Sequence, residues 1–289
     1  MACSECGAQR GHLLGCSHAE ELVRQPAPAF LLTEHEAEQD ERAIERRRLW
    51  AFPAVYLAAW ALVSTDLGAF IGRTCFGMWL HELGHTLAAW LCGQWAVPSP
   101  WFTWTFGRSP LVTVAVFGAF GALLWHGLKR KVPWMVATGA ALLAVAAGCH
   151  LLRESSQELF FTFAGEAGAM LFGAALSTAF LLPPTVRALR GGLRWGWLVI
   201  GALSWADATH LWVLARRDWA NLPFGLENGI ESDATKLVER FHWDEGAMVS
   251  GYLAIAAVTL AGAMLAWAFT VKSSTFPQAK VPSRSETRS

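Results

Sequence analysis

His81-Glu82-Leu83-Gly84-His85 sits in the middle of an otherwise apolar run, Thr74 to Cys92 (TCFGMWLHELGHTLAAWLC). Residues four apart share one face of a helix, so His81 and His85 can hold one metal ion together. Glu82 lies about 100° round the same helix, within reach of a water on that metal, and can take its proton. Two imidazoles and a carboxylate are costly in a helix this apolar, and ionisable groups at membrane depth are functional by default.

The composition outside this stretch points the same way. Of 289 residues, 54% are hydrophobic, 16 are Trp and 17 Phe, while 16% are charged. A soluble domain carries about 25% charged residues, so the deficit predicts an all-α polytopic membrane protein of about 6–8 transmembrane helices. Lys plus Arg and Asp plus Glu balance at 23 each, leaving no net field to attract nucleic acid. The expected partners are the lipid bilayer and a membrane protein substrate.

Seven apolar segments are long enough to span: about 50–71, 74–92, 110–128, 132–152, 158–182, 195–215 and 247–271. The strip 93–109 is too rich in proline and glycine for a helix and suits an interfacial or re-entrant element, or an aromatic belt. Basic groups at Arg46–Arg48, Lys129–Lys131, Arg187 with Arg190 and Arg194, and Lys272 should all be cytoplasmic. Seven crossings cannot satisfy all four, so either 50–71 or 93–109 departs from a simple crossing or loop. The link 216–246 contains a short amphipathic helix from Ser232, expected on the surface as a solvated connector or a lid.

Residues 1–48 read as a cytosolic N-terminal segment, 49–271 as the membrane domain and 272–289 as a disordered tail. Cys3 and Cys6 with Cys16 and His18 could close a structural zinc knuckle, or be stray thiols. Residues 33–48 have a helix N-cap at Thr33, acids first and Arg46–Arg48 last.

A catalytic zinc usually has three protein ligands and one open position. The remaining membrane carboxylates are Asp66, Glu166 and Asp207. At 1.5 Å per residue, Asp207 lies roughly 3 Å from the depth of the His pair, Glu166 roughly 6 Å and Asp66 roughly 8 Å. Asp207 leads, with Glu166 as the alternative. His210, three residues after Asp207, could orient that carboxylate or stabilise an oxyanion.

Taken together, these residues resemble the site-2 protease class of intramembrane metalloproteases, the M50 peptidases. HELGH at 81–85 matches the family's first motif fully. Asp207-Ala208-Thr209-His210 keeps the Asp and the later His of its Leu-Asp-Gly motif without the Leu or the glycines. Gly165-Glu166-Ala167-Gly168-Ala169 stands where the family has Gly-Pro-x-x-Asn. The resemblance spans 74–215 and implies one catalytic Zn2+, Glu82 as general base, and cleavage of membrane-embedded substrate helices. Water would reach the zinc by the 93–109 strip or the cytoplasmic half of the metal helix. The alternative readings are a non-catalytic membrane protein with a structural metal and a partner-binding N-terminal knuckle, or a transporter with a midplane polar site.

Overall fold

The computed structural model describes residues 34–182, 192–227 and 230–275. The chain forms two compact units, Met1–Arg48 and Leu49–Ser289. The described residues of the first are helical and belong to α1 (Glu34–Val63). Cys3, Cys6, Cys16, His18 and the tail 276–289 lie outside the described residues.

The apolar segments expected at 50–71 and 74–92 join into one bent pair, Arg48–Val63 and Asp66–Leu91, with a 110° bend between them. Ser64 and Thr65 make the break. Their hydroxyls donate to the carbonyls of Trp60 and Leu62, both at 2.8 Å, and Thr65 Oγ1 also caps the next helix by accepting from Gly68 N. Hydroxyls that satisfy freed backbone groups are what allow a helix to break at membrane depth. The second half of the pair comprises α2 (Asp66–Ile71), a wide π-turn (Gly72–Gly77) and α3 (Met78–Leu91), which carries the HELGH sequence.

Past α3 the strip 93–109 forms an antiparallel hairpin, β1 (Gln94–Pro98) with β2 (Thr103–Arg108), in which Ala96 faces Thr105 and Pro98 faces Thr103. The helices α4 (Pro110–Arg130) and α5 (Pro133–Leu151) both start on proline, which fits the first turn because the N–H it lacks would have no helical partner there. They are followed by α6 (Glu154–Thr178), extended by a 3₁₀ turn to Leu181, and by α7 (Leu193–Arg217) and α9 (Glu245–Thr275), with α8 (Asp233–Thr235) between. Five helices, α4, α5, α6, α7 and α9, are long and apolar enough to cross a bilayer, and the bent pair brings the count to as many as six.

The core lies where α1, α6, α7 and α9 meet, around Phe52, Tyr56, Met170, Leu198, Trp212 and Tyr252. The α4–α5 hairpin stands outside it, with Leu111, Val114, Trp125 and Trp134 about two-thirds exposed. Apolar surface on this scale is compatible with surrounding lipid and unfavourable in water.

The short helix that starts at Ser232 does not rest on the surface as the sequence suggests. The short strands β3 (Leu226–Glu227) and β4 (Ile230–Glu231) lead to Ser232, which N-caps α8 by accepting from Thr235 N. A π-turn, Lys236–Arg240, follows. Ala234 and Leu237 are buried in the main core, so the apolar face turns into the bundle, and Arg240 ties the segment to α6 by donating to Glu158 at 2.8 Å. The physical reason is the apolar spacing itself: that face gains more by filling the bundle than by resting on an interface.

The closest helix pair is α3 with α6. A Cβ on Gly84 would fall 2.2 Å from the Ala164 carbonyl oxygen, and one on Gly168 would fall 2.4 Å from Gly84 Cα. Replacing Gly84 with Val should therefore force the pair apart and cost about 1–3 kcal/mol. Thermal unfolding in detergent should show the drop, while Gly118→Val, where nothing lies within 4 Å, should leave the midpoint unchanged.

Candidate metal centre

The α3–α6 approach determines where the imidazoles can go. His81 and His85 project from α3 toward α6, both buried. A Cβ on Gly165 would come within 2.6–2.7 Å of ring atoms of both histidines, so the rings occupy the space a side chain would need. The rings meet edge to face, and His85 also stacks on Phe161.

Their Nε2 atoms lie 3.1 Å apart. Asp233 Oδ2, from α8, lies 3.2 Å from His81 Nε2 and 2.9 Å from His85 Nε2. Among the described residues these three are the group whose ligand atoms could share a metal ion. Neighbouring ligand atoms in a tetrahedral zinc site with bonds of about 2 Å lie about 3.3 Å apart, so the triangle has nearly the dimensions of one face of such a site. Asp233 Oδ2 is buried and makes no hydrogen bond, as expected of an atom meant for a cation. Burial pushes the Asp233 carboxyl up, but the two imidazoles beside it hold it well below the usual carboxylate range, in the ionised form a metal requires.

The outer edge of each ring sets the tautomer. His85 Nδ1 donates to the Phe161 carbonyl at 2.8 Å, leaving the Nε2 lone pair facing the triangle. His81 Nδ1 faces Glu166 Oε1 at 3.4 Å. The residues present therefore fit a zinc ion with two neutral imidazoles and one carboxylate.

Beside the triangle is a cavity of about 170 Å³ whose walls include Glu82, Thr103, Asp233 and Lys236. Thr103 Oγ1 donates to Glu82 Oε2 at 2.7 Å, so the hairpin orients the carboxylate that the sequence assigns as base. Lys236 Nζ lies 3.3 Å from Asp233 Oδ1, the oxygen pointing away from the imidazoles.

The other carboxylates singled out in the sequence lie elsewhere. Asp207 is buried on α7 against the π-turn, where its Oδ2 is 3.7 Å from Arg73. Glu166 pairs with Arg73 at 2.8 Å and meets His81 at Nδ1, the side of the ring away from the triangle. His210 packs edge-on against Trp60 and is not on the cavity wall. The structure thus places Asp233, rather than Asp207 or Glu166, at the Nε2 atoms.

Sequence reasoning missed Asp233 and Arg73. The depth ranking considered only carboxylates within apolar segments, so a connector residue never entered it. Ser232-Asp233 was visible as a helix start, and Arg73 as the charge between two apolar runs. Compared with models of known protein families, with curated proteins and with solved structures, the chain matches none of them.

Asp233→Ala should lower the divalent metal content of the purified protein as much as His85→Ala does. Asp207→Ala should leave it near the unmodified level, as read by elemental analysis.

Proposed function

We propose that this chain is an intramembrane zinc metallopeptidase of the M50 type, with zinc held by His81, His85 and Asp233. The observation that carries the reading is the triangle of Nε2, Nε2 and Oδ2 atoms at 2.9–3.2 Å beside a cavity that also receives Glu82. A zinc ion bound there supplies a Lewis acid and brings the pKa of a water toward 7.

Glu82 would take a proton from a water in the cavity as the water oxygen bonds to the scissile carbonyl carbon, and would deliver it to the amide nitrogen as the carbon–nitrogen bond breaks. Thr103 holds the carboxylate in place for both transfers. Lys236 Nζ, on the cavity wall, provides positive charge where an oxyanion develops. The two-stranded hairpin leaves its outer strand edges unpaired, and an extended peptide can add to such an edge. This suits a substrate whose membrane helix has unwound locally, since a hydrogen-bonded helix conceals its peptide groups.

Counting the bent pair as one crossing gives six in all. That removes the odd count that set Arg46–Arg48 against the other basic groups. Lys129–Lys131, Arg194 and Lys272 then share one face, which their charge makes cytoplasmic. The hairpin and the connector bearing Asp233 belong to the opposite face. Water and substrate would therefore approach from the non-cytoplasmic side, rather than along the cytoplasmic half of the metal helix.

Purified protein should carry about one zinc and cut a model membrane helix. Glu82→Gln should keep the zinc and lose activity by about 10²–10⁴-fold. Zinc loading indifferent to His81→Ala and His85→Ala would end the peptidase reading. Retained zinc with a fully active Glu82→Gln enzyme would remove Glu82 from the chemistry.

A further inference from the structure

We infer that Glu166 and Arg73 are positioning residues for the His81 ring, which rests on the metal reading above. His81 Nδ1 is buried, with Glu166 Oε1 3.4 Å from it. The same Glu166 oxygen takes the Arg73 guanidinium at 2.8 Å. The other arm of that guanidinium lies 3.7 Å from Asp207 Oδ2. Asp207 in turn is seated so close to the π-turn that a Cβ on Gly77 would lie 2.7 Å from its Oδ2. The result is a line of side chains, Asp207, Arg73, Glu166 and His81, gathered from α7, the π-turn, α6 and α3.

The line has a definite sense. An isolated carboxylate among apolar helices is strongly disfavoured, so Glu166 persists there only because Arg73 pairs with it. Asp207 and Glu166 share one guanidinium, leaving negative charge uncompensated by Arg73, and the polar hydrogen His81 can offer it is that on Nδ1. A carboxylate accepting that hydrogen fixes the tautomer, prevents the ring from turning and makes Nε2 a stronger donor to a metal. Glu166 cannot itself be a ligand in this arrangement, because Nδ1 and Nε2 lie on opposite edges of the ring. The π-turn serves the same end: such wide turns concentrate at functional sites, and this one carries Arg73.

The test measures zinc affinity of the full-length protein in detergent by competition with a chromophoric chelator. The unmodified chain, Glu166→Gln, Arg73→Met/Glu166→Gln and His81→Ala are compared. Glu166→Gln is expected to bind one zinc about 10–100-fold more weakly. The visible absorption of its cobalt-loaded form should also shift, which a purely structural role would leave unmoved. The double variant guards against misfolding caused by an unpaired Arg73. It is expected to match Glu166→Gln, because Arg73 acts on the His81 ring through Glu166. Unchanged affinity and an unchanged cobalt spectrum in Glu166→Gln would overturn the inference. So would loss of zinc as complete as in His81→Ala, which would make Glu166 a ligand. If the unmodified chain bound no zinc, the metal reading and this inference would fall together; zinc in the unmodified chain with Glu166→Gln unaffected would remove only this one.

Discussion

Two ring nitrogens held 3.1 Å apart form an arrangement that helices do not adopt without reason. The α3–α6 contact enforces it. Gly84, Gly165 and Gly168 let the helices approach until the imidazoles fill the space where side chains would otherwise stand. The remaining features serve that contact or complete it. The bend at Ser64–Thr65 leads the chain into α2 and α3, the hairpin returns Thr103 to Glu82, and the connector brings Asp233 to the open edge of the pair.

Electrostatics explains why so much polar chemistry tolerates an apolar setting. Among the described residues, Glu166 and Asp207 have Arg73 beside them, Asp233 has the two imidazoles and Lys236, and Glu82 accepts from the Thr103 hydroxyl. Breaking one such pair typically leaves a charge whose burial costs several kcal/mol. The set is therefore interdependent, and a change at Arg73 acts on two helices at once.

Much of this was legible in the residues, because the signals were local. The apolar runs gave helices, the four-residue spacing of His81 and His85 put two imidazoles on one face, and the prolines and glycines of 93–109 ruled out a helix there. What could not be read was anything that depends on which distant groups meet. Asp207 sits at nearly the right depth but faces Arg73, and depth along a helix carries no information about direction round it. Asp233 stands in a polar link whose composition is that of a solvated connector; only the burial of Ala234 and Leu237 shows that the link turns inward. The bend between the first two apolar runs was hidden for a similar reason, since hydropathy registers the two runs but not the 110° angle between them.

The connector origin of Asp233 also orders events in time. The imidazoles are translated some 150 residues before the carboxylate that faces them. A ribosome-bound chain with α3 and α6 already inserted has a pair of rings but no third donor, and it acquires one only when α8 is drawn in ahead of α9. On the peptidase proposal, a half-made molecule would lack the third donor that hydrolysis needs until α8 arrives.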